Sequence, residues 1–141
     1  TIKLVDIMFI NDAEARMLTG RMNLIEAGEE ILRFGPRFVI IKKGENGAVL
    51  VTGDHAVGVP AYPAKTVHDP TGAGDSFAGG VMGHLSRERK TDFATLRQAL
   101  VRGTVAASFT IEDFSLRRLE RLTRNEIEWR VEEYVEMLRF D

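Results

Sequence analysis

Nine consecutive residues, Asp69-Pro70-Thr71-Gly72-Ala73-Gly74-Asp75-Ser76-Phe77, constrain this 141-residue chain more than any other stretch. They set a turn, two glycines and a carboxylate at the opening of a helix. Gly72 and Gly74 let backbone amides approach a ligand closely, and the unpaired N–H groups at the helix start point to the same spot, which suits phosphate oxygens. Asp75 does not suit them. The helix dipole favours a carboxylate in the first turn, yet beside a phosphate it repels the ligand. A general base resolves the conflict, because it takes the proton from a hydroxyl attacking a phosphorus that the neighbouring amides hold. The purely structural alternative is a helix N-terminus with a capping acid. It accounts for Asp75 but not for two close glycines beside Asp69 and Thr71.

Composition narrows the setting. With 44% hydrophobic and 28% charged residues the chain reads as one soluble globular domain with a core of its own. A formal net charge of −2 gives no basic face for nucleic acid. Cysteine is absent, which excludes disulfides and thiolate metal sites and suits a reducing cytoplasm. No apolar run approaches the length of a membrane span. The chain opens at Thr1 inside an apolar pattern, and we read it as part of a longer protein.

Taken in order, Leu4 to Ile10 predicts a buried strand ending at Asn11, where Asn11 or Asp12 caps a helix with Ala13, Met17 and Leu18 inward and a stop at Gly20. Asn23 opens a second helix through Ile25, Ile31, Leu32 and Phe34. Phe38 to Ile41 is a second buried strand, Lys43 to Gly47 a turn, and Ala48 to Val51 the return arm of a hairpin. A short strand follows near Val57 to Pro60, then a loop to Asp69. From Gly74 to about Arg87 the pattern is helical, with Gly79 and Gly83 one turn apart and suited to tight packing. Phe93 to Phe109 carries a small, apolar stripe, and Ser115 or Thr123 caps what leads to a last helix. This order implies an α/β domain with helices on the faces of a sheet. Ligands of such sheets bind past the carboxyl ends of the strands, so the loops 11–14, 43–47 and 69–75 are expected to meet there.

The central motif, with Asn11-Asp-Ala-Glu14 upstream and Gly44-Glu-Asn-Gly47 between, resembles the ribokinase-like, or PfkB, family of carbohydrate kinases. The resemblance runs over nearly the whole chain. It implies a three-layer α/β sandwich with a mostly parallel sheet, a β-hairpin and helices on its faces. It implies that the amides of Gly72, Ala73 and Gly74 form an anion hole and that Asp75 is the catalytic base. Lys43, Gly44, Gly47, Thr71 and Gly74 would lie along ATP, and Asn11 and Glu14 would hold Mg2+ through water. A monovalent cation, potassium, would sit on backbone near Asp69 and Thr71, with 108–114 as the other side. Taken alone, Asn-x-x-Glu is an ordinary helix start and the glycine turn an ordinary hairpin.

The family implies an ATP-dependent phosphoryl transfer to a hydroxyl of a sugar or nucleoside in the cytoplasm, with a homodimer as its assembly and neither nucleic acid nor membrane as partner. Such kinases carry a substrate-binding first half and a lid sheet, for which this chain has no counterpart. Residues 1–141 are therefore expected to be the C-terminal, nucleotide-binding and catalytic part, inactive alone. The alternative is a non-catalytic nucleotide-binding or oligomerisation module of the same fold.

Other chemistries find no support. His55, His68 and His84 lack zinc spacing and read as loop or surface residues. No Gly-x-x-x-x-Gly-Lys-Ser/Thr exists, a Ser-His-Asp set has no nucleophile elbow, and Phe77 stands where a dinucleotide fingerprint needs its third glycine. Trp129 reads as a helix residue at the surface or an interface.

Overall fold

The first strand begins at Ile7, and residues 2–6 do not join the sheet as strand. A computed structural model describes residues 2–67, 69–112 and 120–140. Ile2–Leu4 forms a 3-10 turn with Leu4 exposed, so the expected strand from Leu4 shortens to β1, Ile7–Asn11. The reason lies in the backbone: the Asp6 carbonyl accepts the N–H groups of Arg37 and Phe38, at 2.9 and 3.0 Å, and pairing runs on from there.

The chain divides into two units, Thr1–Ala61 and Tyr62–Asp141. In the first, β1 leads into α1 (Asp12–Thr19) and α2 (Leu24–Leu32), and these cross to β2 (Phe38–Lys42), which pairs parallel to β1. β3 (Ala48–Thr52) and β4 (Ala56–Val59) follow as an antiparallel meander, in the order β1-β2-β3-β4. Among the described strands one pairing is parallel and two are antiparallel. The sheet is thus mixed where a mostly parallel one was expected, because β3 turns back on β2 through Lys43 to Gly47 and β4 turns back on β3 through residues 53–55.

β2 is buried along Phe38 to Ile41, as its unbroken β-branched run implies. Val39 and Ile41, two apart and so on one face, pack with Ile10, Ala15, Ala27 and Ile31 beneath α1 and α2. Each large member of such a cluster contributes about 1.5–3 kcal/mol. The inward face of α1 differs from expectation. Ala15 is fully buried, while Met17 is 86% exposed and Leu18 is also exposed. A helix of this length meets the sheet with one narrow stripe, and in α1 Ala15 occupies it. In α2, Ile31 is buried as expected, but Ile25 and Phe34 lie at the solvent.

The second unit holds α3 (Ala73–Glu88), α4 (Phe93–Ile111) and α5 (Arg124–Leu138). Gly80 and Gly103 bring α3 and α4 into backbone contact: a Cβ on Gly80 would stand 2.8 Å from the Gly103 Cα and 3.0 Å from the Arg102 carbonyl. Gly79 and Gly83, the expected packing pair, face open space. They lie about 100° and 60° round the helix from Gly80, given the 3.6-residue turn, and so miss the α4 side.

α5 closes a separate cluster of Val105, Phe109, Val131 and Tyr134, with Tyr62 packed against it. Its start is a capping box of Thr123 and Glu126, one of the two expected caps; Ser115 lies outside the described residues. Arg130 fastens α5 to the end of α4. Its guanidinium lies 3.7 Å from the Phe109 ring centroid and 4.7 Å from that of Tyr62, 2.7 Å from Glu112 Oε1, and donates to Ser108 Oγ at 3.0 Å. His84 is buried, against the surface placement expected of it; His55 is exposed, and His68 lies outside the described residues. No helix among the described residues is long and apolar enough to cross a membrane.

Candidate phosphate and nucleotide site

The turn before α3 is built by its own side chains. Thr71 N–H donates to Asp69 Oδ1 at 2.9 Å, and Ala73 N–H donates to the Pro70 carbonyl at 3.1 Å. The Thr71 hydroxyl and then its N–H hold the Asp69 carboxyl below the usual carboxylate range. Gly72 caps the helix at φ 83°, a left-handed conformation that other residues reach only with strain, and Ser76 N–H donates to its carbonyl at 2.9 Å.

Two consequences follow for an anion. Gly72 offers no side chain, so no cap bond uses up the first-turn donors. Of the expected Gly72, Ala73 and Gly74 amides, Ala73 N–H already donates to the Pro70 carbonyl, which leaves the N–H groups of Gly72, Gly74 and the adjoining Asp75 without a loop or side-chain acceptor among the described residues. The Asp75 side chain is exposed in that same first turn. Thr110, buried at the end of α4, touches this loop through Ser76, a contact 34 residues apart that sequence patterns do not reveal.

The remaining candidates lie in the first unit. Asn11 Oδ1 accepts the Glu14 N–H at 2.7 Å, and Glu14 Oε2 accepts the Asn11 N–H at 3.2 Å, a reciprocal capping box. The ordinary reading of Asn-x-x-Glu is therefore satisfied in full. Asn11 pairs in register with Lys42, so the α1 start and the turn after β2 stand at the same, carboxyl end of two parallel strands. In that turn Lys43 N–H donates to the Gly47 carbonyl at 2.7 Å, and Gly44 to Asn46 makes a 3-10 turn. Gly47, at φ 89°, leaves no room for a Cβ, which would collide with the Val59 carbonyl and the Pro60 backbone. Its glycine thus has a structural cause. Gly44, at φ 57°, faces open space. Two of the three expected loops are brought to one end of this sheet, and the third belongs to the other unit.

Among the described residues no group of three or more His, Asp or Glu side chains could cage a metal. Magnesium does not require such a cage, since it keeps most of its waters and needs only one or two protein oxygens beside phosphate.

The α/β arrangement of the first unit and the helices of the second are those of a ribokinase-like fold. The chain belongs to the pfkB family of carbohydrate kinases, whose model matches residues 1–121. It is 39% identical over 87 residues to a cytidine kinase of Thermococcus kodakarensis, covering 60% of this chain and 31% of that protein. Its fold superposes on aminoimidazole riboside kinase from Salmonella enterica, solved with aminoimidazole riboside and an ATP analog (TM-score 0.81, 26% identity, 92% of this chain and 43% of that one). It also superposes on ribokinase from Thermotoga maritima (TM-score 0.78, 27% identity, 93% and 43%). The chain spans less than half the length of each.

Proposed function

We propose that the protein to which this chain belongs transfers the γ-phosphoryl group of ATP to a hydroxyl of a sugar or nucleoside, and that this chain is its nucleotide-binding and catalytic part. The observation that carries the reading is the start of α3, where a left-handed glycine leaves first-turn amides open and an exposed acid stands beside them. The kinases similar to this chain act on sugars and nucleosides, which supports that substrate class.

In this reading Asp75 accepts the proton of the attacking hydroxyl. Of the expected anion hole of Gly72, Ala73 and Gly74, the N–H groups of Gly72 and Gly74 are open, and with that of Asp75 they would hold the charge that develops on the phosphoryl oxygens. Each such donor is worth about 2.7–4 kcal/mol in comparable sites. Lys43, Gly44, Gly47 and Thr71 line the nucleotide. Asn11 and Glu14 would hold magnesium through its waters, and when bound it neutralises phosphate charge. Backbone near Asp69 would hold a potassium ion, with the end of α4 as the other side; the Asp69 N–H donating to the Ile111 carbonyl at 3.4 Å supports that pairing of segments.

The test has two parts. The chain should bind ATP with magnesium by calorimetry, and the product of the complete reading frame should phosphorylate a member of a sugar and nucleoside panel. Nucleotide binding without turnover in the complete product would favour a second reading, a nucleotide-binding module of the same fold. Absence of nucleotide binding would sink both.

A further inference from the structure

We infer that Thr110, on α4, is a positioning residue that replaces the missing N-cap of α3 and thereby sets the phosphate-facing amides; this rests on the reading of Gly72 to Asp75 as a phosphate site. A helix start is ordinarily steadied by the side chain of its first flanking residue, which bonds the second or third N–H. α1, α2, α4 and α5 each have such a side chain, from Asn11, Asn23, Asp92 and Thr123. α3 has none, because Gly72 stands there. A side-chain cap would occupy the very donors an anion needs.

Thr110 supplies steadiness from outside without spending a donor. It is fully buried, and its Oγ1 donates to Ser76 Oγ at 2.6 Å. The Ala106 carbonyl is a second acceptor at 3.3 Å; one proton cannot serve both at full strength, and the shorter contact is the one to Ser76. The Thr110 methyl lies 3.8 Å from where a Gly72 side chain would begin, under the left-handed residue. The next residue, Ile111, accepts the Asp69 N–H. The end of α4 therefore touches the loop at Asp69, Gly72 and Ser76, on both sides of Asp75.

Thr110→Val keeps the shape and removes the hydroxyl, and Thr110→Ser keeps the hydroxyl. In the 141-residue chain we expect Thr110→Val to raise amide hydrogen exchange at Ser76 and Phe77, the first helix-bonded amides of α3, at least tenfold, with α5 unchanged. It should weaken ADP binding tenfold or more while leaving adenosine affinity as it was, a split that general loosening would not produce. Thr110→Ser should behave as wild type, and Ser76→Ala should reproduce Thr110→Val without adding to it. Unchanged exchange in Thr110→Val, or equal losses for ADP and adenosine, would overturn the inference. If wild type binds no ADP, the phosphate reading falls, while the exchange data still decide whether Thr110 steadies α3. Should Thr110→Val fail to fold, Ser76→Ala carries the same readouts.

Discussion

Asp69 and Asp75 sit six residues apart in one loop and are held in opposite ways. Asp69 is tied down by Thr71, and its carboxyl is kept below the usual range by that hydroxyl and N–H. Its contribution to the turn is complete above the unfolded value of about 3.9 and is lost as pH falls through the lower folded value. A carboxyl carbon titration by NMR should find the Asp69 midpoint below that of a free aspartate; a midpoint at or above it contradicts the turn. Asp75 is exposed, and its side chain has no hydrogen bond or ion pair among the described residues. On the proposed chemistry, Asp75→Asn in the complete kinase should cost about 10²–10⁴ in kcat with ATP affinity nearly intact, and full activity would exclude it as the base. The glycines of this loop were readable from sequence because a positive φ leaves few alternatives to glycine, as Gly72 shows. Thr110 was not, since nothing in a linear pattern joins two hydroxyls across 34 positions.

Elements were easier to read than their faces. The helix starts at Asn11, Asn23 and Thr123 came from cap chemistry, which is local, and the structure has all three. Which side of each helix turns inward depends on a partner. Hence Ala15 rather than Met17 reaches the sheet, and Gly80 rather than Gly79 meets α4. The latter difference can be measured. Gly79→Ala should stabilise the chain by about 0.5–1 kcal/mol, because it faces open space and alanine is the better helix former. Gly80→Ala gains the same propensity but drives a methyl into the Gly103 and Arg102 backbone, an overpacking cost of typically 1–3 kcal/mol. Thermal unfolding should move in opposite directions for the two, and a stable Gly80→Ala would refute the close approach. At the far end of α4, Arg130→Ala strips Glu112, Ser108 and two rings of their shared partner and should cost about 3 kcal/mol, read by denaturant midpoint.

For the molecule as a whole, the hairpin and the family were legible because the motif at 69–77 is long and the hairpin is marked by its glycines. The proportion of parallel strands was not, since an alternating run does not say which neighbour it pairs with. Among the described strands β1 is an edge, and the chain covers less than half of its relatives. With Met17, Met22 and Trp129 all more than half exposed, we expect concentration-dependent self-association of the isolated chain by light scattering. A monodisperse single copy at every concentration would contradict this.

The bare contact between Gly80 and Gly103 has a mechanical consequence. It acts as a fulcrum, and Asp75 rides on the arm about 7.5 Å away, five residues of helical rise. A tilt of about 10° at the fulcrum would swing the carboxylate by roughly 1.3 Å, and displacements of about 1 Å can cost 10²-fold in rate. Two residues with no side chain, remote from any ligand, thus set the aiming tolerance of the proposed base.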